Sequence, residues 1–400
     1  MDNIKKQFPI FNHYKENELI YLDSASTTQK HESVLFELNN YYKKYSANIH
    51  RSVYPIAEKA TNKFEESRLK VSNFINSKSE EIVFTKNATE AINVLAYSWG
   101  LNNLKKNDVI LISEMEHHSN LIPWQFISKK TGCTLKYIPM LDNGVLDIDY
   151  FNSIILNKVK FVSLIHQSNV LGTINPIKDM IAKAHQHGAL VMIDAAQSIS
   201  HHKIDVKSLD CDFLVFSGHK MFASTVVGVL FGKYDLLDKM DPFMYGGQMI
   251  NQVNLKESTW NSVPLKFEAG TPNIAEVISL GAAIDFIESL GRSNIKSYLE
   301  QITNSYLELL NNFSNITIYG SQSIRGPVIS FNIEGVHPYD FCQIMGQHNI
   351  CLRAGNHCAQ PLLDKLGTTA TNRISFQIYN TVDEINIFEE KLKKTIDFLR

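Results

Sequence analysis

The sequence lacks the features that mark several classes of protein. Its five cysteines are odd in number and scattered, with no Cys-x-x-Cys pair, so neither a disulfide framework nor a cysteine-based zinc motif is indicated. Its 39 basic and 41 acidic residues almost balance, which excludes the basic field that draws proteins to nucleic acid or anionic membranes. We therefore expect a small-molecule substrate.

Long apolar segments are also missing. No uninterrupted apolar run reaches the roughly 18 residues that a membrane helix needs. The first residues, Met1 to Lys6, lack the apolar core of a signal peptide. These absences lead us to expect a cytoplasmic protein without a membrane partner. The 400 residues, 44% of them hydrophobic, suffice for two domains with separate cores.

Short apolar runs alternate with helical patterns between residues 80 and 235. This alternation is typical of βαβ units and predicts an α/β fold with a mostly parallel sheet flanked by helices. The runs are continuous and often β-branched, as in strands buried on both faces: Ile82–Thr85, Val109–Ile112, Phe161–Ile165, Ala189–Ile193 and Phe213–Phe216. In such sheets ligands bind beyond the carboxyl ends of the strands. We expect the chemistry just after each run.

Three helices carry recognisable signals. The pattern from Ile177 to His187 is closed by Gly188, which suits a left-handed cap. A capping box from Thr381 to Glu384 opens the last helix. Near residue 270 a long amphipathic helix begins, with one apolar face made of Ile274, Val277, Ile278, Gly281, Ile284 and Ile287.

The change of pattern near residue 270 predicts a domain boundary. We expect a large ligand-binding domain of residues 21–265. A smaller α+β domain would combine residues 1–20 with residues 266–400.

A carboxylate and an ammonium follow two neighbouring apolar runs. Asp194 ends a buried strand, where it needs a cationic partner such as a protonated pyridine nitrogen to stay ionised. Lys220 closes Ser217-Gly218-His219-Lys220 after the next strand, and a desolvated lysine there has a lowered pKa and can form a Schiff base. A plain salt bridge between Asp194 and Lys220 is the alternative.

A cofactor with a phosphate group would also need an anion site. Asn87-Ala88-Thr89-Glu90 follows the first strand, with Asn87 and Glu90 as a variant capping box. This arrangement leaves the Thr89 hydroxyl and nearby amides for a phosphate at a helix N-terminus. Helix capping without any ligand is the alternative.

A histidine pair follows another strand, in Glu116-His117-His118. A histidine there can stack on a planar ring or act as an acid or base near neutral pH, although a surface pair is the alternative. We predict no metal site, because no HExxH and no zinc spacing is present among Glu116, His117, His118, His201 and His202.

These motifs together with Arg353–Ala359 resemble the SUF-type cysteine desulfurase and selenocysteine lyase family, within the class V aminotransferase-like enzymes that use pyridoxal 5'-phosphate. The likeness runs nearly end to end and includes Asn48–Arg51, Glu90–Asn93, Ser168–Gly172, Phe267–Asn273, Asn372–Ser375 and Tyr379–Thr381. It implies the fold type I of pyridoxal-phosphate transferases and a homodimer. It also implies L-cysteine as substrate and a sulfur-acceptor protein of the SUF system as partner.

The resemblance implies a part for each matching residue. Lys220 would bind the cofactor covalently and act in catalysis, Asp194 would pair with the pyridine nitrogen, and Gln197 would contact the phenolic oxygen. His117 would stack on the ring. The phosphate would be bound by Ala88, Thr89, Ser217 and His219, and by Thr271 of the other subunit. The substrate would be held by Arg373, whose planar guanidinium suits a carboxylate, and by Asn169, Arg353 and His50.

Cys358 distinguishes the reaction from others of the same fold. A free cysteine is by default an inert core residue, which is how we interpret Cys351. Cys358 instead lies in a glycine-bearing loop beside His357 and near Arg353, surroundings that favour a thiolate. The resemblance implies that Cys358 receives the sulfur of cysteine as a persulfide, that alanine is released, and that the sulfur supplies iron–sulfur cluster assembly.

Several other functions stay open. A selenocysteine lyase would share the site, whereas an aminotransferase would not need the thiol. An iron–sulfur scaffold or carrier would use Cys351, Cys358 and His357 as ligands, and a degenerate interaction protein of the same fold would have no activity. The sequence departs from the family pattern at Asn356, Ser52, Tyr54 and the stretch Ala223–Val226, which affects loop geometry and the acceptor surface.

Overall fold

A computed structural model describes residues 4–15, 18–156 and 158–400. Within these ranges the strands are β1 (Ile20–Tyr21), β2 (Ile82–Thr85), β3 (Val109–Ser113), β4 (Thr134–Ile138), β5 (Val159–Ile165), β6 (Leu190–Asp194), β7 (Phe213–Ser217), β8 (Gly228–Gly232), β9 (Ile250–Val253), β10 (Ser258–Trp260), β11 (Ile316–Tyr319), β12 (Val328–Ile333), β13 (Ile350–Cys351), β14 (Arg353–Gly355) and β15 (Thr371–Ser375).

The helices lie on both faces of the sheets and at the edges of the site. They are α1 (Glu32–Lys44), α2 (Pro55–Ile75), α3 (Ala88–Val94), α4 (Leu101–Asn103), α5 (Ile122–Thr131), α6 (Ile148–Ile154), α7 (Ile177–Gln186), α8 (Val206–Leu209), α9 (Tyr234–Lys239), α10 (Ile274–Leu290), α11 (Arg292–Asn311), α12 (Pro338–Gln347), α13 (Gln360–Lys365) and α14 (Asp383–Leu399). A π-helical turn, Leu95–Gly100, joins α3 to α4. None of the helices within the described ranges is both long and apolar enough to cross a membrane.

Seven strands form the main sheet in the order β2-β8-β7-β6-β5-β3-β4. Strands β3 to β7 are parallel, whereas β8 is antiparallel to both of its neighbours. The predicted α/β fold with a mostly parallel sheet is confirmed. Buried residues of β3, β5, β6 and β7 contribute to two apolar cores, one on each face of the sheet, which accounts for their continuous apolar runs.

A second sheet is antiparallel and contains four strands in the order β11-β12-β15-β14. Helices α12 and α14 pack beside it, and β1 pairs in parallel with β13. The same large apolar core includes residues of both sheets, from Ile193 on β6 to Ile374 on β15. The division into residues 21–265 and residues 1–20 with 266–400 stays a prediction.

The helix predictions differ in their outcomes. Helix α7 ends at Gln186 and Gly188 has φ of +74°, as predicted for a left-handed cap. Helix α10 begins where it was expected, but the prediction of a single apolar face is wrong. It is buried around most of its circumference because α1 and α2 pack against it as well as the core.

Only half of the predicted capping box is formed at the start of the last helix. The Thr381 backbone N–H donates to the Glu384 carboxylate at 3.3 Å, but the Thr381 hydroxyl is buried without a partner among the described residues. Glu384 also accepts from the Asn380 side chain at 3.0 Å, so its carboxylate ties this helix to the turn before it.

Gly228 allows strand β8 to approach the start of helix α3. A Cβ at this position would overlap the backbone of Asn87, whose Cα would be 2.5 Å away. We expect Gly228→Ala to lower the free energy of unfolding by about 1–3 kcal/mol, as overpacking does in well-packed interiors. Urea unfolding followed by circular dichroism measures this change.

Gly346→Ala is the matched control, because an added Cβ on helix α12 meets open space. It should leave the stability unchanged or raise it by up to about 1 kcal/mol, since alanine favours helix. Equal stabilities for the two variants would contradict the close approach at Asn87.

Candidate active site

A cavity of about 230 Å³ lies at the carboxyl edge of the main sheet, facing the second sheet. The residues after β2, β3, β5, β6 and β7 meet here with residues from β14, β15 and the loop between them. Of the residues singled out in the sequence, those that line it are Asn87, Ala88, Thr89, His117, Asn169, Asp194, Gln197, Ser217, His219, Lys220, Arg353, His357, Cys358 and Arg373. With Ala25 also in the lining, the structure brings together residues separated by up to 348 positions in the chain, from Ala25 to Arg373.

Asp194 presents a buried carboxylate to this cavity without a cation beside it. Its Oδ1 accepts a hydrogen bond from the Ala196 N–H at 2.9 Å, and burial raises its pKa. No basic side chain of the described residues lies within ion-pair distance of it, so the alternative of a plain salt bridge to Lys220 is wrong. A protonated ring nitrogen would supply the missing charge.

Lys220 ends a single 3₁₀ turn, Gly218–Lys220, directly after β7. The carbonyl of His219 in this turn accepts from the Thr28 N–H at 2.9 Å and from the Lys30 ammonium at 3.3 Å, which fixes the turn against the N-terminal segment. Burial lowers the pKa of Lys220 to about 8, while Asp194 opposes the shift. The amine is therefore more readily available as a base or nucleophile near neutral pH than an exposed lysine.

The N-terminus of helix α3 is held next to β7. The Asn87 side chain accepts from the Glu90 N–H at 2.9 Å, as expected of an N-cap. The Glu90 carboxylate accepts from the Lys86 N–H and not from Asn87, so the predicted capping box is wrong in its second half. The Ser217 hydroxyl accepts from the Ala88 N–H at 2.9 Å, which places two of the expected phosphate ligands side by side.

His117 lines the cavity as a neutral ring. Its Nδ1 accepts from the Ser119 N–H at 3.1 Å, which puts the ring proton on Nε2, and burial lowers its pKa to about 3. The neighbouring His118 supports the cysteine loop: its backbone N–H donates to the Cys358 carbonyl at 2.7 Å and its Nε2 accepts from the Gln360 N–H at 3.0 Å. His117 and His118 therefore do not form a surface pair without contacts.

The loop that carries Cys358 has a strained backbone. His357 and Cys358 have φ of +51° and +56°, a left-handed conformation that costs non-glycine residues of order 1–3 kcal/mol each. The Asn169 amide donates to the His357 carbonyl at 2.7 Å, and Asn356 Oδ1 accepts from the Cys358 N–H at 3.1 Å. Asn356, a departure from the family pattern, is thus one of the groups that hold this loop.

Two arginines stand opposite each other across β14 and β15. Arg373 is buried, donates to the Asp23 carboxylate at 2.9 Å and to the Asn169 carbonyl at 3.0 Å, and has an Nε without a partner among the described residues. Arg353 donates to the Ser26 hydroxyl at 2.8 Å. Two adjacent guanidinium groups with a single carboxylate nearby favour an anionic ligand between them.

Sequence reasoning missed the segment after β1. Asp23 binds Arg373, the Ala25 carbonyl accepts from the Gln197 amide at 2.9 Å, and Ser26 holds Arg353. A signal was present, since small and polar residues from Asp23 to Thr28 directly follow an apolar stretch, as they do after the other strands.

Two of the expected ligands lie outside this cavity. Thr271 is exposed, and its hydroxyl accepts from the Asn48 side chain at 3.4 Å. His50 is bound between Glu65 at 2.9 Å and Gln248 at 3.0 Å. The segments that carry them therefore lie side by side at the surface.

The whole chain is similar to known enzymes. Residues 20–388 match the family model described as aminotransferase class V. The chain belongs to the class V aminotransferase family. The enzymes of this family that resemble it depend on pyridoxal phosphate, and the chain is a pyridoxal-phosphate enzyme.

The relatives and solved structures agree with one another. A probable cysteine desulfurase of Halalkalibacterium halodurans is 46% identical over 99% of this chain and 98% of its own, and a cysteine desulfurase of Haloferax volcanii is 42% identical over 96% and 89%. The apo structure of cysteine desulfurase from Thermococcus onnurineus has a TM-score of 0.95 at 37% identity, over 99% of this chain and 98% of its own. The cysteine desulfurase CsdA of Escherichia coli has a TM-score of 0.93 at 34% identity, over 100% and 99%.

The residues at the cavity fit pyridoxal phosphate. Asp194 offers an uncompensated buried carboxylate to a ring nitrogen, Lys220 offers an amine of lowered pKa, and the start of α3 with Thr89 and Ser217 offers donors to a phosphate. No group of three or more metal-ligating side chains is placed to hold a metal within the described part of the chain.

Lys220→Ala should abolish the absorbance band of lysine-bound cofactor and the adduct that borohydride fixes to the protein. The matched control is Lys266→Ala, because burial also lowers the pKa of Lys266 although it lies outside the cavity. The control should keep the band. A borohydride-fixed adduct that survives in Lys220→Ala would contradict the assignment.

Proposed function

We propose that the protein is a cysteine desulfurase that converts L-cysteine to L-alanine and holds the sulfur as a persulfide on Cys358. The observation that carries the proposal is that Cys358 lines the same cavity as Lys220 and Arg373. The relatives named cysteine desulfurase, at 46% and 42% identity over nearly the whole chain, support it.

The two arginines would bind and orient the substrate. Arg373 has an unpartnered buried Nε and Arg353 lies opposite it, so the carboxylate of the amino acid would be held between two guanidinium groups. Asp23 and Asn169 keep Arg373 in place. This binding would fix the position of the substrate sulfur relative to the Cys358 loop.

Lys220 and Asp194 would serve the proton chemistry. When bound, pyridoxal phosphate draws electrons from the α-carbon of the substrate. The neutral amine of Lys220 would take the α-proton, which its lowered pKa favours. The Asp194 carboxylate would keep the ring nitrogen protonated by charge pairing, and His117, with its proton on Nε2, would pack against the ring.

Cys358 would perform the sulfur transfer. Its thiolate would attack the substrate sulfur, so that an S–S bond forms as the Cβ–S bond breaks and the bonding electrons return to the three-carbon product. That product would take a proton at Cβ, regain at the α-carbon the proton that Lys220 had removed, and leave as alanine. The sulfur is oxidised as it joins Cys358, and the carbon product is reduced by the electron pair of the broken Cβ–S bond, so no external oxidant is needed.

Cys358→Ala should bind cysteine and cofactor but lower alanine release by at least about a hundredfold, because the nucleophile is missing. Chromatography of alanine and cyanide release of persulfide sulfur measure the two products. Cys351→Ala is the control: Cys351 lies outside the cavity, burial raises the pKa of its thiol, and the variant should stay active. Unchanged alanine release from Cys358→Ala would overturn the proposal.

The proposal also includes a homodimer, a sulfur-acceptor protein of the SUF system as partner, and a cytoplasmic location. The exposed segments that carry Asn48, His50 and Thr271 lie side by side but outside the cavity of their own chain, which supports a contribution of Thr271 to the phosphate site of a partner. The acceptor and the supply of iron–sulfur cluster assembly rest on the resemblance to SUF-type enzymes.

Thr271→Ala should weaken cofactor binding about fivefold or more, because one hydrogen bond to a charged group is lost. This effect is expected although Thr271 does not line the cavity of its own chain. The rate of cofactor loss during dialysis measures it. Thr369→Ala is the control at another exposed threonine. Equal cofactor retention in both variants would contradict the contribution to a partner's site.

A further inference from the structure

A second, smaller cavity adjoins the active site on the far side of Lys220. It shares Lys220, Ala25 and Gln197 with the main cavity, and the rest of its lining includes Gln167, His201 and Gln377. It has room for the centre of about one water molecule, and its lining is largely polar, as buried water sites require.

One residue of this lining has a buried polar atom without a partner among the described residues. The Nε2 of Gln167 has no hydrogen-bond partner among the described residues, and Gln167 is 1% exposed. An unpaired buried amide N–H is costly because it has lost its hydrogen bonds to water, so a hydrogen-bond acceptor is expected beside it. Gly326 closes over the same amide, because a Cβ there would overlap the Gln167 side chain.

A chain of hydrogen bonds fixes which end of the Gln167 amide faces the cavity. The Ile378 N–H donates to Gln377 Oε1 at 2.9 Å, so the other end of that amide, Nε2, donates to the Ser200 hydroxyl at 3.3 Å. The hydroxyl proton of Ser200 then goes to His201 Nδ1, at 3.1 Å.

The same direction of hydrogen-bond donation continues from Ser200 through His201 to Gln167. With Nδ1 as acceptor, the neutral ring carries its proton on Nε2 and donates to Gln167 Oε1 at 2.9 Å. Burial keeps this ring neutral by lowering its pKa well below the usual value. The amide oxygen of Gln167 is thereby occupied, and its N–H group is left for the cavity.

We propose that Gln167 holds a buried water behind Lys220 and turns one of its hydrogens toward the lysine nitrogen. A water that accepts from the Gln167 N–H has its own hydrogens free to donate, and a neutral amine accepts such a hydrogen whereas an ammonium cannot. The arrangement therefore stabilises Lys220 as the uncharged base. Gln167, His201, Ser200 and Gln377 are positioning residues that act through this water.

Other charged and titratable groups act on Lys220 as well. Asp194 on β6 and Cys358 in its loop favour the ammonium, whereas Arg353 on β14 and Arg373 on β15 disfavour it. His117 and His219, the remaining titratable neighbours, have pKa values lowered by burial and are neutral. The inferred water would lower the pKa of Lys220 together with the arginines and burial, against the effect of Asp194.

The first test is direct. A high-resolution crystal structure of the holoenzyme with alanine bound, in which Lys220 is free of the cofactor, should contain a water within hydrogen-bond distance of Gln167 Nε2 and of the Lys220 nitrogen. The water should be absent from Gln167→Met, which keeps the length of the side chain but not its N–H group. A dry cavity in the unaltered holoenzyme would overturn the inference.

The second test uses pH and rests on the proposed function. The acidic limb of the kcat profile for alanine release from cysteine reports the protonation of Lys220. In Gln167→Met this limb should move to higher pH by roughly one unit, because the ammonium form of Lys220 is no longer disfavoured. At pH values on the acidic side of the limb, kcat should then be about tenfold lower than in the unaltered enzyme. Gln377→Met, which removes the first donor of the chain, should move it in the same direction by less.

The controls separate this inference from a general loss of stability and from the proposed function. Gln301→Met, at an exposed glutamine of helix α11, should keep the unaltered profile. An unshifted acidic limb in folded, cofactor-loaded Gln167→Met and Gln377→Met would overturn the inference. If the unaltered enzyme releases no alanine from cysteine, the proposed function fails, and the presence or absence of the buried water alone decides the inference.

Discussion

The guanidinium of Arg373 joins the two sheets at the site, and the rest of the active-site geometry depends on it. It projects from the second sheet, donates to the Asn169 carbonyl beyond β5 of the main sheet, and pairs with Asp23 in the segment after β1. A buried arginine that lost these partners would leave an uncompensated charge, which costs several kcal/mol. The position of one sheet relative to the other is thereby set where the substrate would bind.

Asn169 extends this junction to the cysteine loop. Its carbonyl accepts from Arg373 while its side-chain amide donates to the His357 carbonyl at 2.7 Å. The strained backbone at His357 and Cys358 is thus held by a residue of the segment after β5, and His118 holds the same loop through the Cys358 carbonyl. The Cys358 thiol and Lys220 are fixed relative to each other because the residues that hold them lie at the same edge of the main sheet.

The sequence allowed much of this site to be predicted, because parallel strands place their carboxyl ends at one edge. Asp194, Ser217 and Lys220 follow buried apolar runs, and their meeting follows from that rule alone. Arg373 and Cys358 come from a separate antiparallel sheet, and no pattern in the sequence sets the distance between the two sheets. Arg373 was assigned only through the resemblance to a family, and Cys358 through that resemblance together with the neighbouring His357 and Arg353.

Other features depend on contacts that sequence patterns do not encode. The apolar face assigned to helix α10 was too narrow, because periodicity reports apolar positions but not which neighbours cover the other positions, such as Ser279, which is buried against Ser224. The left-handed conformations of His357 and Cys358 are also invisible in the sequence, since positive φ is uncommon for any residue other than glycine. Such backbones exist because the surrounding hydrogen bonds outweigh their local cost.

The state of Lys220 illustrates how the fold reconciles two opposing requirements. A carboxylate at Asp194 would hold a protonated ring nitrogen, yet that same negative charge favours the ammonium form of Lys220 and so weakens it as a base. Burial is the larger effect and lowers the lysine pKa to about 8, and the arginines act in the same direction. The arginines that would bind the substrate carboxylate therefore also help to keep the base uncharged. A bound substrate carboxylate would partly neutralise the arginines and return Lys220 toward its ammonium form. A hydrogen-bond donor behind the amine does not respond to the charge of the substrate. Such a donor would therefore continue to favour the uncharged lysine after the substrate binds.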